Sequence, residues 1–234
     1  MSVCENLQKI QETIEKVCQK VGRNPKEVKV LGAIKAQHLE KIIEAIECGL
    51  KLVGENYIQE ARERISFLKE KYPGIEAHFI GHLQTNKVKY AIKLFDVIET
   101  VDRVSLVDEL QKRLSKENKT LDVLIEVKLS SEETKTGCEE KDLESLVEYI
   151  LEKGKNLNLK GLMTIPPYFE DKEKVRPYFR KLRELRDNLE KKFNIKLPEL
   201  SMGMSHDFDI AIEEGATIVR IGTLLFGKRQ YKKS

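Results

Sequence analysis

Three stretches of the sequence carry residues whose types and spacing suit the binding of a reactive, anionic small molecule. A lone lysine ends the apolar run KVLGAIKAQ (29–37) and offers a primary amine. The stretches LSMGMSHD (200–207) and RIGTLLFG (220–227) offer hydroxyl groups, a guanidinium and a glycine, where bare backbone can approach an oxyanion. The candidates are Lys35, Ser201, Ser205, Arg220, Gly222 and Thr223.

Lys35 has two interpretations. Strand alternation places Leu31, Ala33 and Lys35 on one face and the intervening residues on the other. The lysine is then either a strand-end side chain that reaches out to water or an amine kept for chemistry. Its surroundings must decide between the two.

The elements that position these residues follow an eight-fold alternation of strands and helices. A first helix is predicted over 3–21, ended by Gly22. Strands are predicted at 28–34, 52–55, 77–81, 97–101, 121–129, 159–165, 199–203 and 216–222. Helices are predicted near 39–48, 57–71, 86–94, 103–118, 140–153, 171–193 and 206–214.

This alternation predicts parallel strands, because parallel pairs need crossover connections. Eight such units in 234 residues predict an α/β fold: one (β/α)₈ TIM barrel domain over 1–234, with an additional N-terminal helix. A doubly wound open sheet is the alternative. It is disfavoured by the strand count and by the absence of G-x-G-x-x-G after the first strand.

In such a barrel the carboxyl ends of the strands form the functional mouth. Lys35 and Arg220 are expected to point inward there, and the loops after the last two strands are the usual phosphate site. Asp207 is placed to cap a helix beside them. An amine opposite a phosphate cradle suits pyridoxal phosphate, with Lys35 forming a Schiff base to its aldehyde. Arg220 would donate to the ring nitrogen.

Two further polar pairs lie on predicted strands. His78 and His82 share one alternation face. Glu126 and Lys128 are expected to point into the barrel. The preferred interpretation is a structural ion pair between them, and the less favoured one is a catalytic acid/base role for Lys128.

Composition excludes several classes of protein. The 42 basic and 39 acidic residues give a net charge of +3, too small to indicate nucleic-acid binding. No apolar run approaches the roughly 20 residues of a membrane span, and no signal peptide is recognisable. The four scattered cysteines and four histidines show no metal-ligand spacing, so reduced thiols, no metal and a cytoplasmic location are expected.

Four motifs resemble a known family, the pyridoxal-phosphate homeostasis proteins related to the alanine racemase barrel. They are GENYIQEA (54–61), HFIGHLQTNK (78–87), GLMTIP (161–166) and LSMGMSHDFDIAIEEGATIVRIGTLLFGKR (200–229). The resemblance implies the barrel, Lys35 as the cofactor lysine, and Asn56, Ser201, Ser205, Arg220, Gly222 and Thr223 around the cofactor. Family members often carry Asn where this chain has Lys128.

The resemblance implies a carrier that buffers or delivers the cofactor in vitamin B6 homeostasis, with PLP-dependent apo-enzymes as possible recipients. The alternative is an amino-acid racemase, which needs a second acid/base, usually supplied by an added domain of the partner subunit. This chain is not expected to have that domain. Because the domain also provides the usual racemase dimer contact, a monomer is expected. RNA binding by the basic tail residues Lys228, Arg229, Lys232 and Lys233 is a third, weaker hypothesis.

Overall fold

A computed structural model describes residues 1–132 and 136–229. Lys232 and Lys233 of the basic tail lie outside the described residues. Within the described residues the helices are α1 (Val3–Val21), α2 (Leu39–Glu47), α3 (Ile58–Lys71), α4 (Val88–Leu94), α5 (Val104–Glu117), α6 (Leu143–Lys153), α7 (Arg176–Phe193), α8 (Phe208–Glu213) and α9 (Thr223–Phe226). The strands are β1 (Lys29–Ala33), β2 (Leu52–Glu55), β3 (Glu76–Phe79), β4 (Val97–Val101), β5 (Leu121–Lys128), β6 (Cys138–Glu139), β7 (Leu157–Met163), β8 (Glu199–Ser201) and β9 (Ile218–Ile221).

Eight of these strands close into a parallel barrel, which confirms the predicted fold. The sheet runs β4-β3-β2-β1-β9-β8-β7-β5, and pairing of β4 with β5 closes it. A ninth short strand, β6, pairs with β5 outside the closed barrel and was not predicted. The predicted 171–193 helix is also shorter than expected. Its first turn is a 3₁₀ turn over Lys172–Val175, and α7 follows with Pro177 near its start.

The strands separate two apolar clusters. The inner cluster fills the barrel and has seven members: Leu31, Leu52, Ile80, Val97, Leu124, Met163 and Ile218. The outer cluster lies between the strands and the helices. Leu124 is inside while its neighbours Val123 and Ile125 are outside, as the alternation of β5 predicts.

Helix α1 packs on the helical layer outside the barrel and ends where the sequence indicates. Ser2 Oγ accepts a hydrogen bond from the Glu5 N–H at its start, and Gly22 takes the left-handed conformation (φ 71°) at its end. The helix packs against α2, α8 and α9, and Asn6 Nδ2 donates to the Leu225 carbonyl at 3.0 Å. No helix in the described part of the chain is long and apolar enough to cross a membrane.

The expectation of four reduced thiols is wrong for one pair. Cys4 of α1 and Cys48 after α2 are joined by a disulfide, with their Cα atoms 5.6 Å apart. The sequence did not predict this pair, because the two cysteines are 44 positions apart and only the packing of the helices brings them together. Cys18 and Cys138 are buried free thiols.

Candidate functional site

Lys35 lies at the mouth of the barrel, two residues beyond the end of β1. Leu31 belongs to the inner cluster and Ala33 packs against it, whereas Ile34 packs in the outer core, so the alternation continues toward the lysine. Its Nζ lies 5.3 Å from the centre of the Tyr57 ring, within range of a cation–π contact. The half-buried amine therefore sits at the edge of the barrel interior against an aromatic face.

Gly222 and its neighbours form a candidate anion cradle beside the same strand end. Gly222 is buried, and a Cβ added there would meet the Cβ and carbonyl oxygen of Ala33 at 3.6 Å, an ordinary contact. Thr223 is exposed and begins α9. Ser205 Oγ accepts a hydrogen bond from the Leu224 N–H at 3.2 Å, which ties the loop after β8 to α9.

Arg229 approaches this cradle from the end of the described chain. Its Nη2 would lie 3.9 Å from a Cβ at Gly222. The cradle therefore combines hydroxyl groups, backbone N–H groups at a helix start and a guanidinium, which is the donor set that a phosphate group requires. The sequence placed Arg229 only in a basic tail, because the approach depends on how the chain turns after α9.

Arg220 lies inside the barrel one layer below the mouth. It pairs with Leu31 across β9 and β1, so alternation directs it inward as predicted. Only 3 % of the residue is exposed. Its Nη1 donates to Ser201 Oγ at 2.7 Å and its Nη2 donates to the Thr164 carbonyl at 2.9 Å. Two of its five N–H groups are thus engaged by the barrel wall.

A chain of polar contacts continues from Arg220 across the barrel, here called the interior relay. Ser201 Oγ donates to Glu99 Oε1 at 2.5 Å. Glu99 Oε2 lies 2.5 Å from His78 Nδ1, and His78 Nε2 lies 3.3 Å from Glu76 Oε2 at the opposite end of the barrel. Ser201, a predicted cofactor contact, is therefore fully buried and uses its hydroxyl to link Arg220 to Glu99.

Charges in the interior relay stabilise one another. Burial alone would lower the pKa of His78, but Glu76 and Glu99 outweigh that effect and raise it to about 9. Burial alone would raise the pKa of Glu99, yet His78, Arg220 and Ser201 hold it below its usual value. Burial lowers the pKa of Arg220, with the nearby carboxylates opposing the change. At neutral pH the relay therefore alternates negative and positive groups.

The histidine pair separates, and the ion pair of β5 is absent. His78 is buried in the relay, whereas His82 lies beyond β3 and is exposed. Glu126 and Lys128 lie on the predicted inner face, but no ion pair joins them in the described part of the chain, so that prediction is wrong. Glu126 Oε2 lies 3.4 Å from Thr136 Oγ1 instead. Burial raises the pKa of Glu126 to about 7 and Asp102 adds to the increase.

Asn56 and Asp207 complete the mouth. Asn56 is half-buried after β2, where Gly81 lies so close that a Cβ there would come within 2.0 Å of the Asn56 carbonyl oxygen. Asp207 stands at the start of α8 as predicted, but its Oδ1 accepts from the Met204 N–H at 2.9 Å rather than from the helix. Its carboxylate shapes the loop that carries Ser205.

The closed barrel agrees with comparisons to known proteins. Residues 6–230 match the family model of the alanine racemase N-terminal domain. The pyridoxal phosphate homeostasis protein of Aquifex aeolicus is 55 % identical over 231 residues, covering 99 % of this chain and 100 % of that protein. The chain belongs to the pyridoxal phosphate homeostasis protein family.

Other family members and solved structures extend this similarity. The pyridoxal phosphate homeostasis protein of Escherichia coli K12 is 35 % identical, with 99 % of this chain and 98 % of that protein covered. The structure of PipY from Synechococcus elongatus, with PLP bound, superposes with a TM-score of 0.85 at 29 % identity and covers 97 % of this chain and all of that chain. Alanine racemase of Clostridium difficile shares the fold at 14 % identity (TM-score 0.71), with 98 % of this chain but only 58 % of the racemase covered.

Proposed function

We propose that residues 1–234, as one barrel domain, bind pyridoxal 5′-phosphate and buffer or deliver it in vitamin B6 homeostasis, without catalytic turnover. One observation carries the proposal: a primary amine follows β1, while a buried arginine on β9 and a candidate anion cradle directly after it belong to the adjacent strand. Full-length similarity to pyridoxal phosphate homeostasis proteins, and to a structure with PLP bound, supports it.

The residues present fit this cofactor. When bound, pyridoxal phosphate supplies an aldehyde that a primary amine can attack, together with a phosphate dianion. We assign the amine to Lys35. Ser205, Thr223 and the backbone at Gly222 would hold the phosphate, with Arg229 adding charge.

The remaining predicted residues support the ring. Arg220 would donate a hydrogen bond to the ring nitrogen from an orientation set by Ser201 and the Thr164 carbonyl. Because arginine stays protonated, it cannot give the ring nitrogen a proton. Asn56 would line the edge of the site, and Ser201 would act through Arg220.

Carrier and racemase differ in the need for a second acid/base. Tyr57 lies close to the lysine amine but is 52 % exposed, and Lys128 is half-buried at the end of β5. Water reaching such groups favours release over controlled proton transfer. We further propose that the protein is a cytoplasmic monomer and that PLP-dependent apo-enzymes receive the cofactor.

The proposal is tested by titrating purified protein with pyridoxal phosphate, followed by borohydride reduction and peptide mass spectrometry. We expect a visible absorption band and a reduced adduct on Lys35, both lost in Lys35→Ala and retained in Lys128→Ala. An unchanged band in Lys35→Ala would refute the lysine assignment. Exchange of the α-hydrogen of an amino acid at an enzyme-like rate would replace the carrier with the racemase alternative.

A further inference from the structure

Three polar side chains, of which Glu55 and Gln37 are buried and Arg64 is 17 % exposed, lie behind the turn that carries Lys35, on the side away from the barrel interior. Glu55 ends β2 and is completely buried, Arg64 comes from α3, and Gln37 follows the lysine with 4 % of its surface exposed. We call these three residues the turn buttress. Glu55 follows the inward-facing position of Gly54, so alternation directs it toward α3.

Arg64 joins the parts of the turn buttress. Its Nη1 donates to the Gln37 carbonyl at 3.0 Å, and its Nη2 donates to Glu55 Oε1 at 2.9 Å. The Gln37 amide also reaches the Gly227 carbonyl at 3.4 Å, at the end of α9. One guanidinium therefore connects the lysine turn to β2 and α3.

The turn buttress lowers the stability of the fold relative to apolar packing at the same place. Glu55 Oε2, Arg64 Nε and Gln37 Oε1 are buried and lack a hydrogen-bond partner within the described residues. A buried ion pair with unsatisfied atoms seldom improves stability over apolar packing. Polar groups kept at such a cost indicate a role other than stability.

The turn itself is strained at the residue next to the lysine. Ala36 has a positive φ of 56°, in the left-handed region that residues with a Cβ rarely adopt. The Gln37 N–H closes the turn on the Ile34 carbonyl at 3.1 Å. Strained backbone persists where its surroundings hold it in place, and Arg64 holds the carbonyl one residue further on.

We propose that Glu55 and Arg64 are positioning residues that hold the Lys35 turn so that the amine meets the aldehyde of a phosphorylated pyridine. This inference rests on the proposed function. Arg64 fixes the turn directly, and Glu55 orients the guanidinium. Within the described residues, Glu55 and Arg64 make no hydrogen bond or ion pair with the phosphate cradle or with Arg220. Only Gln37 of the turn buttress contacts α9, and Gln37 is left unchanged, so we expect binding at the cradle to be independent of Glu55 and Arg64.

This independence provides the test. Pyridoxal 5′-phosphate requires the lysine, whereas 4′-deoxypyridoxine 5′-phosphate has the same ring and phosphate with a methyl group in place of the aldehyde. Equilibrium binding of both is measured for the parent, Arg64→Met and the double variant Glu55→Gln/Arg64→Met. The double variant leaves no unpaired buried charge, and urea unfolding verifies that each protein is folded.

We expect both variants to bind pyridoxal 5′-phosphate about tenfold more weakly, the size of one hydrogen bond from a charged donor, and to bind the deoxy analogue as the parent does. Glu60→Gln is the matched control. Glu60 also contacts Arg64, at 3.4 Å, but 47 % of its side chain is exposed, so parental binding is expected.

The outcomes separate the two proposals. Equal weakening of both ligands, or no weakening of either, would overturn the positioning role while the proposed function stands. A parent protein that binds neither ligand would overturn the proposed function and this inference together.

Discussion

Replacing Glu99 by glutamine tests the interior relay most directly. Glu99 is completely buried between His78 and Ser201, and it is a counter-ion to both His78 and Arg220. A pKa of His78 raised from 6.5 to about 9 corresponds to about 3 kcal/mol of stabilisation. This contribution is complete below about pH 6.5, where His78 is protonated in both the folded and the unfolded chain. It is lost as the pH rises through about 9, because the unfolded chain loses its proton near pH 6.5 and the folded chain only near pH 9.

The assay is urea unfolding of the parent and Glu99→Gln at several values between about pH 6 and pH 10. We expect the variant to be less stable than the parent at the acidic end by up to about 3 kcal/mol, since Glu76 also contributes to the His78 pKa shift. The difference should shrink toward the alkaline end as His78 deprotonates in the parent. Proton NMR of the His78 ring gives its pKa independently, and we expect it to fall in the variant.

Glu76→Gln serves as the control. Glu76 contacts the same ring, but 42 % of its side chain is exposed, so its removal should cost less than about 1 kcal/mol. A His78 pKa near 6.5 in the parent, or a stability difference between parent and Glu99→Gln that does not change with pH, would refute the alternating-charge description of the relay.

Three other predictions concern separate features. Gly222→Ala should fold normally, since its Cβ makes only ordinary contacts, yet bind pyridoxal phosphate more weakly in the same titration because a methyl group enters the cradle. The pKa of Glu126, raised from 4.5 to about 7, adds stability below about pH 4.5 that is lost as the pH rises through about 7; Glu126→Gln should remove up to about 3 kcal/mol of this pH dependence in urea unfolding. Reduction of the Cys4–Cys48 disulfide should lower the unfolding free energy by about 4 kcal/mol, the value for closing a chain segment of 44 residues, and Cys4→Ser should then be insensitive to reductant.

Local sequence patterns predicted the barrel and the directions of its inward side chains. Alternation needs only neighbouring residues, so Arg220 was placed correctly on the inner face of β9, and Lys35 lies two residues beyond the end of β1. The end of α1 at Gly22 was equally local. These features depend on backbone geometry that a short segment determines by itself.

The contacts between strands could not be predicted in the same way. Glu99 meets Ser201 across 102 positions of sequence, and nothing in either segment identifies the other. The expected pairing of Glu126 with Lys128 was wrong because two residues on one strand face need not turn toward each other. A charged residue at the end of an otherwise apolar strand, as at Glu55, is a local signal of a buried charged partner, here Arg64.

The barrel strands separate the inner and outer apolar clusters, and this separation affects which substitutions the chain can tolerate. Among the described residues, a side chain of the inner cluster, such as Leu124, and one of the outer cluster, such as Leu68, belong to separate apolar clusters. A cavity on one side of the wall cannot be filled from the other, so truncations on opposite sides should be additive in their effect on stability. Apolar residues of the helical shell can therefore change independently of those inside the barrel. Arg64 of α3 and Thr223 at the start of α9 are the exceptions, because the proposed roles tie them to the lysine turn and the anion cradle.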